Sequence, residues 1–170
     1  MKKIFVLAFS CIALFACSSD DEGSTNGSVA GTWKVTAFTT GVPTDFNNDG
    51  VSSTNFLTES GCYDNSTIVL AANNVATANF QELDVTFDYN AADPQNSTYT
   101  VDCLPSTPFT GIWAQSGNSV TVTIDGEPAT FTLTGNTMTV TFDEFVDIET
   151  NDGTETIYEV TSATMVFTKQ

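Results

Sequence analysis

From Gly31 onward the chain alternates apolar and polar residues with a period of two. Trp33, Val35 and Ala37 interleave with Thr32, Lys34 and Thr36. Leu83, Val85, Phe87 and Tyr89 do the same with Asp84, Thr86 and Asp88. The pattern returns in Val120-Val122-Ile124, Phe131-Leu133 and Met138-Val140-Phe142, each with Thr or Ser between. A strand turns successive side chains to opposite faces, so each run predicts a strand with one buried and one solvated face. In the last segment, Glu155 to Lys169, Tyr158 and Val160 fall on one parity while Ala163, Met165 and Phe167 fall on the other. That switch predicts a bulge near Thr161-Ser162.

Between the runs stand turn-forming pairs: Asn73-Asn74, Gly117-Asn118, Asp125-Gly126, Gly135-Asn136 and the triplet Asn151-Asp152-Gly153. Their spacing suits short antiparallel strands joined by hairpins. No long stretch carries the apolar period of a helix. The one helix expected is short, from Ser53 to Ser60, with Phe56, Leu57 and Ser60 on one side. About eight to ten strands of this kind close on themselves readily, because closure removes exposed edges. The expected fold is all-β, an antiparallel up-and-down barrel, with a two-sheet β-sandwich as the alternative.

The start of the chain has a different texture. Lys2-Lys3 precedes an apolar run from Ile4 to Ala16 broken only by Ser10. This is the layout of an export signal, with an apolar core too short for a stable span. Leu14-Phe15-Ala16-Cys17 resembles the lipobox of bacterial lipoproteins, with bulky Phe15 where a smaller residue is usual. The resemblance implies cleavage before Cys17 and acylation of its thiol, so the bilayer becomes a partner through lipid. Residues 1–16 are then the signal peptide, 17–28 a flexible acidic tether without large apolar residues, and 29–170 the folded domain. The run Ser19-Asp20-Asp21-Glu22 also looks like the surface-export signal of some Gram-negative lipoproteins, which implies an outer-membrane, cell-surface location.

Charge narrows the partners. Across 170 residues there are 4 Lys+Arg, 21 Asp+Glu and no His, a formal net charge of −17. Once the signal is removed, only Lys34 and Lys169 remain as cations. Nucleic acid is excluded as a partner, since binding it requires cationic groups to displace phosphate counterions. Without His, the usual base for a Ser or Cys nucleophile and the commonest zinc ligand are missing. The acidic pairs Asp143-Glu144 and Asp147/Glu149 sit on strands near turns, where such residues face water, so no enzyme is expected. Cys11 lies in the signal, which leaves Cys62 and Cys103 as a pair in an oxidising compartment. They read as one disulfide, with two free buried thiols as the alternative.

Gly31-Thr32-Trp33 is similar to the Gly-x-Trp that opens lipocalins, and Gly111-Ile112-Trp113 repeats it. With the segment Gly117 to Val122, the anchor, the length and Cys62, the chain resembles the small bacterial lipocalin-like lipoproteins from Gly31 to Lys169. The resemblance implies a lipid-anchored barrel that binds a small apolar ligand. Lipocalins also pack a late cation across the first Trp, and here only Lys169 stands in that region. Trp33 and Trp113 read either as packing at a barrel end or as ligand contacts.

Asp45-Phe46-Asn47-Asn48-Asp49-Gly50 fits the start of an EF-hand-type calcium loop, with oxygens of Asp45, Asn47 and Asp49 at alternate positions. The twelfth position of such a loop carries a Glu ligand. Here it is Phe56, and the nearest acid is Glu59. The alternatives are a weak calcium site or a polar turn. Two functional classes follow: a barrel holding a small hydrophobic ligand, or a filled barrel whose loops bind a partner, stiffened by calcium.

Overall fold

The computed structural model describes residues 28–93, 96–105, 107–151 and 156–170. The expected signal peptide, Cys17, all of the expected tether except Ser28, and the Asp152-Gly153 part of the last turn lie outside them. The alternating runs become strands paired with their neighbours in the chain. In order they are β1 (Gly31–Thr44), β2 (Ser53–Asn55), helix α1 (Phe56–Ser60), β3 (Thr67–Leu70), β4 (Val75–Asn79), β5 (Glu82–Asp88), β6 (Thr98–Leu104), β7 (Phe109–Ser116), β8 (Ser119–Ile124), β9 (Glu127–Thr134), β10 (Thr137–Asn151) and β11 (Thr156–Lys169).

Eight of these, β1-β3-β4-β7-β8-β9-β10-β11, form one antiparallel ring that closes where β11 pairs with β1. The fold is therefore a closed barrel and not a sandwich. The short β2 attaches to β1, and β5 and β6 pair only with each other. The hairpin turns at Asn73-Asn74, Gly117-Asn118 and Gly135-Asn136 share one end with Trp33 and Lys169, the partners at the β1–β11 seam. The opposite end carries α1, the β5–β6 hairpin and the Asp125-Gly126 turn, where Asp125 (φ 53°) and Gly126 (φ 89°) adopt the left-handed backbone of a tight hairpin.

Two corrections to the sequence pattern have physical causes. Ala37 faces solvent while Phe38 is buried, because the β1–β11 register slips between Val35 and Ala37 and the bulge at Thr36 inverts parity. The second bulge falls where β11 was expected to bend, but its extra residues are in β10. Phe142 pairs with Ala163 and Val146 with Thr161, so Asp143-Glu144-Phe145 oppose Ser162 alone. Helix α1 starts later than Ser53: residues Ser53–Asn55 form β2, and the Asn55 side chain caps the helix by accepting from Thr58 N at 3.4 Å. Gly61 (φ 66°) ends it in a left-handed turn, its N–H donating to the Leu57 carbonyl.

The inward parity of the ring supplies the core: Trp33, Val35, Phe38, Ile68, Leu70, Ala76, Ala78, Val120, Val122, Phe131, Leu133, Met138, Val140, Met165 and Phe167 are all buried. Outward Thr residues pair across strands, as in Thr141–Thr164 at 3.1 Å and Thr36–Thr168 at 2.8 Å. Among the described residues no helix is long and apolar enough to cross a membrane.

Candidate functional site

The two Gly-x-Trp copies do related work at the same end of the barrel. The Trp33 indole is buried and donates to the Val29 carbonyl at 2.9 Å. Trp113, half-buried, donates to the Ala71 carbonyl at 2.9 Å and pairs with Val122 on the inward face. Gly31 is required by its positive φ of 144° and Gly111 by close approach of backbone. A Cβ on Gly31 would lie 2.8 Å from Lys169 Cε, and one on Gly111 would lie 2.0 Å from the Thr123 carbonyl oxygen. Lys169 lies over the Trp33 ring at 5.6 Å from its centroid, and its Nζ donates to the Ser28 carbonyl. The late cation expected from the lipocalin comparison is thus in place. Trp33 is packed at this end, and neither tryptophan is among the residues that line the cavity described below.

The other end is built differently. An aromatic cluster fills one side of it: Phe38 meets Phe56 at 4.6 Å, Tyr63 at 5.2 Å and Phe145 at 5.0 Å between centroids, and Phe46 meets Tyr99 at 5.0 Å. Phe145 reaches this cluster from the β10 bulge. Cys62 and Cys103 are bonded, with Cα atoms 5.5 Å apart. The bond joins the segment after α1 to β6, so it fastens the β5–β6 hairpin across the barrel end.

The Asp45–Gly50 loop supplies a second fastening. The Asn48 side chain donates to the Tyr99 carbonyl at 2.8 Å and accepts from Tyr99 N at 3.0 Å, in the manner of a neighbouring strand. Asn48 itself has φ 56°, a conformation Asn tolerates. Both carboxylate oxygens of Asp45 accept backbone N–H groups, from Asp49 and Gly50, each at 2.9 Å. Asn47 Oδ1 accepts from Asp49 N at 2.9 Å, and Asp49 Oδ1 accepts from Val51 N at 2.8 Å. These bonds hold the loop as a sharp polar turn. Among the described residues no three acidic or sulfur side chains gather as metal ligands.

Beside the aromatic cluster the barrel is not filled. A cavity of about 180 Å³ runs from Ile68, the cross-strand partner of Trp33, up to Ile124 and Phe142 at the mouth. Its wall is almost wholly apolar: Phe80, Phe131, Phe167, Val140 and Met165 surround it, and Glu127 supplies the one carboxylate at its lining. Phe80, Phe142 and Met165 also wall a wider depression of about 510 Å³ that reaches Tyr63, Leu83 and Phe145. The β5–β6 hairpin therefore borders the entrance through Leu83. Sequence periodicity missed this cavity, because it reports which side chains face inward and not whether they meet in the middle.

A family model described as a lipocalin-like domain matches residues 29–140. No curated protein and no solved structure matches the chain significantly.

Proposed function

Because this chain belongs to the lipocalin-like domain family, whose barrel is in general a binding rather than a catalytic fold, we propose that it is a lipid-anchored protein that holds a small apolar ligand in the barrel mouth. The observation that carries the reading is the cavity between Ile68 and Phe142, apolar and continuous with the entrance wall. An engineered apolar cavity of about 150 Å³ stays dry and admits benzene. One of about 180 Å³ accepts a compact ring or short alkyl group, and the outer depression has room for the rest of a larger molecule. The test is calorimetric titration with benzyl alcohol, a neutral probe of suitable size. Saturable binding of one equivalent is expected. Heats that never saturate would count against a ligand-binding barrel.

The anchor half of the proposal rests on Cys17 and the signal-like run before it. The fold is consistent with such an attachment, because Ser28 and Val29 are fixed at the Trp33 end by Lys169 and the indole N–H. Changing Cys17→Ser should move the protein from the membrane fraction to the soluble one; retention of the variant in membranes would refute acylation at this residue. A surface-exposed outer-membrane location belongs to the same proposal and rests on the acidic run after Cys17.

A further inference from the structure

The cavity and the charge map of the barrel together identify what kind of apolar ligand fits. Charge along the barrel is segregated. The strand segments at the Trp33 end, residues 31–35, 68–76, 113–122, 132–140 and 164–170, contain no Asp or Glu, and they hold Lys34 and Lys169. Every acidic side chain that the structure describes sits toward the mouth end. Asp45 and Asp49 lie in the loop after β1, Asp125 and Glu127 at the β8–β9 turn, and Asp143 and Glu144 in the β10 bulge. Among the described residues no cation stands at the mouth to offset them. One of these acids, Glu127, lines the cavity itself.

This segregation is not what solubility alone requires, since acids dispersed over all outward Thr positions would serve that purpose. Its consequence at the mouth is a negative potential over a low-dielectric, aromatic-walled opening. Such clefts concentrate ions of the opposite sign by about tenfold or more. Phe142 at the mouth adds an aromatic ring beside which an organic cation can sit. A carboxylate-headed molecule of the fatty-acid type would meet repulsion at the same place, with no Lys or Arg to receive it.

Resting on the ligand-binding reading above, we propose that the mouth selects organic cations: a compact apolar body seated in the cavity, with an ammonium group at the rim beside Glu127. The apolar part is buried where the wall is apolar, and the charged group stays partly hydrated, which spares its desolvation cost.

The test compares three molecules of one shape with the full chain: benzylammonium, benzyl alcohol and benzoate, followed by NMR shifts of the Met165 and Val140 methyls at low ionic strength. All three would enter the same cavity, so shape is held constant and charge varies. Benzylammonium should bind roughly tenfold more tightly than benzyl alcohol, and benzoate more weakly than either. Raising the salt to about 0.5 M should shrink the gap by screening. Glu127→Gln should shrink it as well, read as the ratio of cation to alcohol affinity within the same variant. Alcohol bound as tightly as benzylammonium would overturn the proposed selectivity while leaving the ligand-binding reading intact. If none of the three shifts the methyls, both fall together.

Discussion

Reducing the Cys62–Cys103 bond should lower the stability of the domain by about 4 kcal/mol. The bond closes a loop with a sequence separation of 41 residues, and the chain-entropy estimate for a loop of this length gives that magnitude. The enclosed segment includes β3, β4, β5 and most of β6, so reduction returns conformational freedom to a large share of the unfolded chain. The native state should keep its barrel, because the strands of the ring pair without help from the bond. The β5–β6 hairpin should remain attached through Asn48, which bonds both backbone groups of Tyr99, and through the Phe46–Tyr99 contact. The measurement is urea unfolding of the oxidised protein and of Cys62→Ser/Cys103→Ser. A fall in the midpoint is expected, with a steeper slope, because the unfolded chain without the cross-link is less compact and exposes more surface. Equal midpoints would show that the bond does not constrain the unfolded chain as argued.

Removing the Trp33 indole should have a comparable effect by another route. Trp33 is buried at 1 % exposure, so Trp33→Ala leaves a cavity at the closed end. Substitutions of this kind cost ~3–5 kcal/mol. The change also removes the ring under Lys169 and the donor that holds Val29. Trp33→Phe keeps most of the packing and loses the N–H, so it should cost about 1–3 kcal/mol, the range for a buried acceptor left unsatisfied. Trp113→Phe should cost less than Trp33→Ala, since Trp113 is only half-buried. Thermal or urea unfolding of the three variants gives the ranking. A Trp33→Ala protein as stable as the wild type would mean that the closed end is not a packed plug, and the division of the barrel into a closed and an open end would fail.

The parts of this fold that were legible in the chain were those with a local cause. The runs around Val120, Phe131 and Met138 became β8, β9 and β10 because alternation and tight turns determine both the strands and their neighbours. The pairing of Cys62 with Cys103 was legible because only two cysteines remain for the folded domain. The Leu83-Val85-Phe87 run shows the limit of that logic. Its alternation is as regular as any other, yet β5 pairs only with β6 and stands outside the ring. A period of two records one sheltered face and does not say what shelters it. The bulge at Thr36 was hidden for a similar reason: Ala37 and Phe38 are both apolar, so either parity fits the letters, and the β11 partner decides. The Asp45–Gly50 loop was legible as a sharp polar turn. That Asn48, not one of the alternating oxygens, would make its long-range contact depended on where β6 lies.

The candidate site was the least legible part. Inward Phe and Met residues were expected, and a generous supply of Phe fits a filled barrel as well as a hollow one. What leaves the space is the arrangement of the mouth. Phe38, Phe56, Tyr63 and Phe145 pack together, Phe142 meets this cluster through Phe145 at 6.1 Å, and the space lies beyond it, between Phe80, Phe142, Met165 and the inward residues below. This arrangement depends on two bulges and an inserted hairpin, each determined by contacts between segments distant in sequence.

The central claim, that this space receives a ligand, is tested most directly by locating bound benzyl alcohol. Intermolecular NOEs should run from its ring to the methyls of Val122, Val140 and Met165, and binding should fall more than about tenfold in Ala129→Phe, whose new ring would occupy the cavity wall. Thermal unfolding of the variant, showing a folded protein, accompanies the titration. NOEs confined to those residues and lost in the variant are the predicted result. NOEs to surface residues alone, or equal binding by a folded Ala129→Phe, would contradict a ligand-binding barrel.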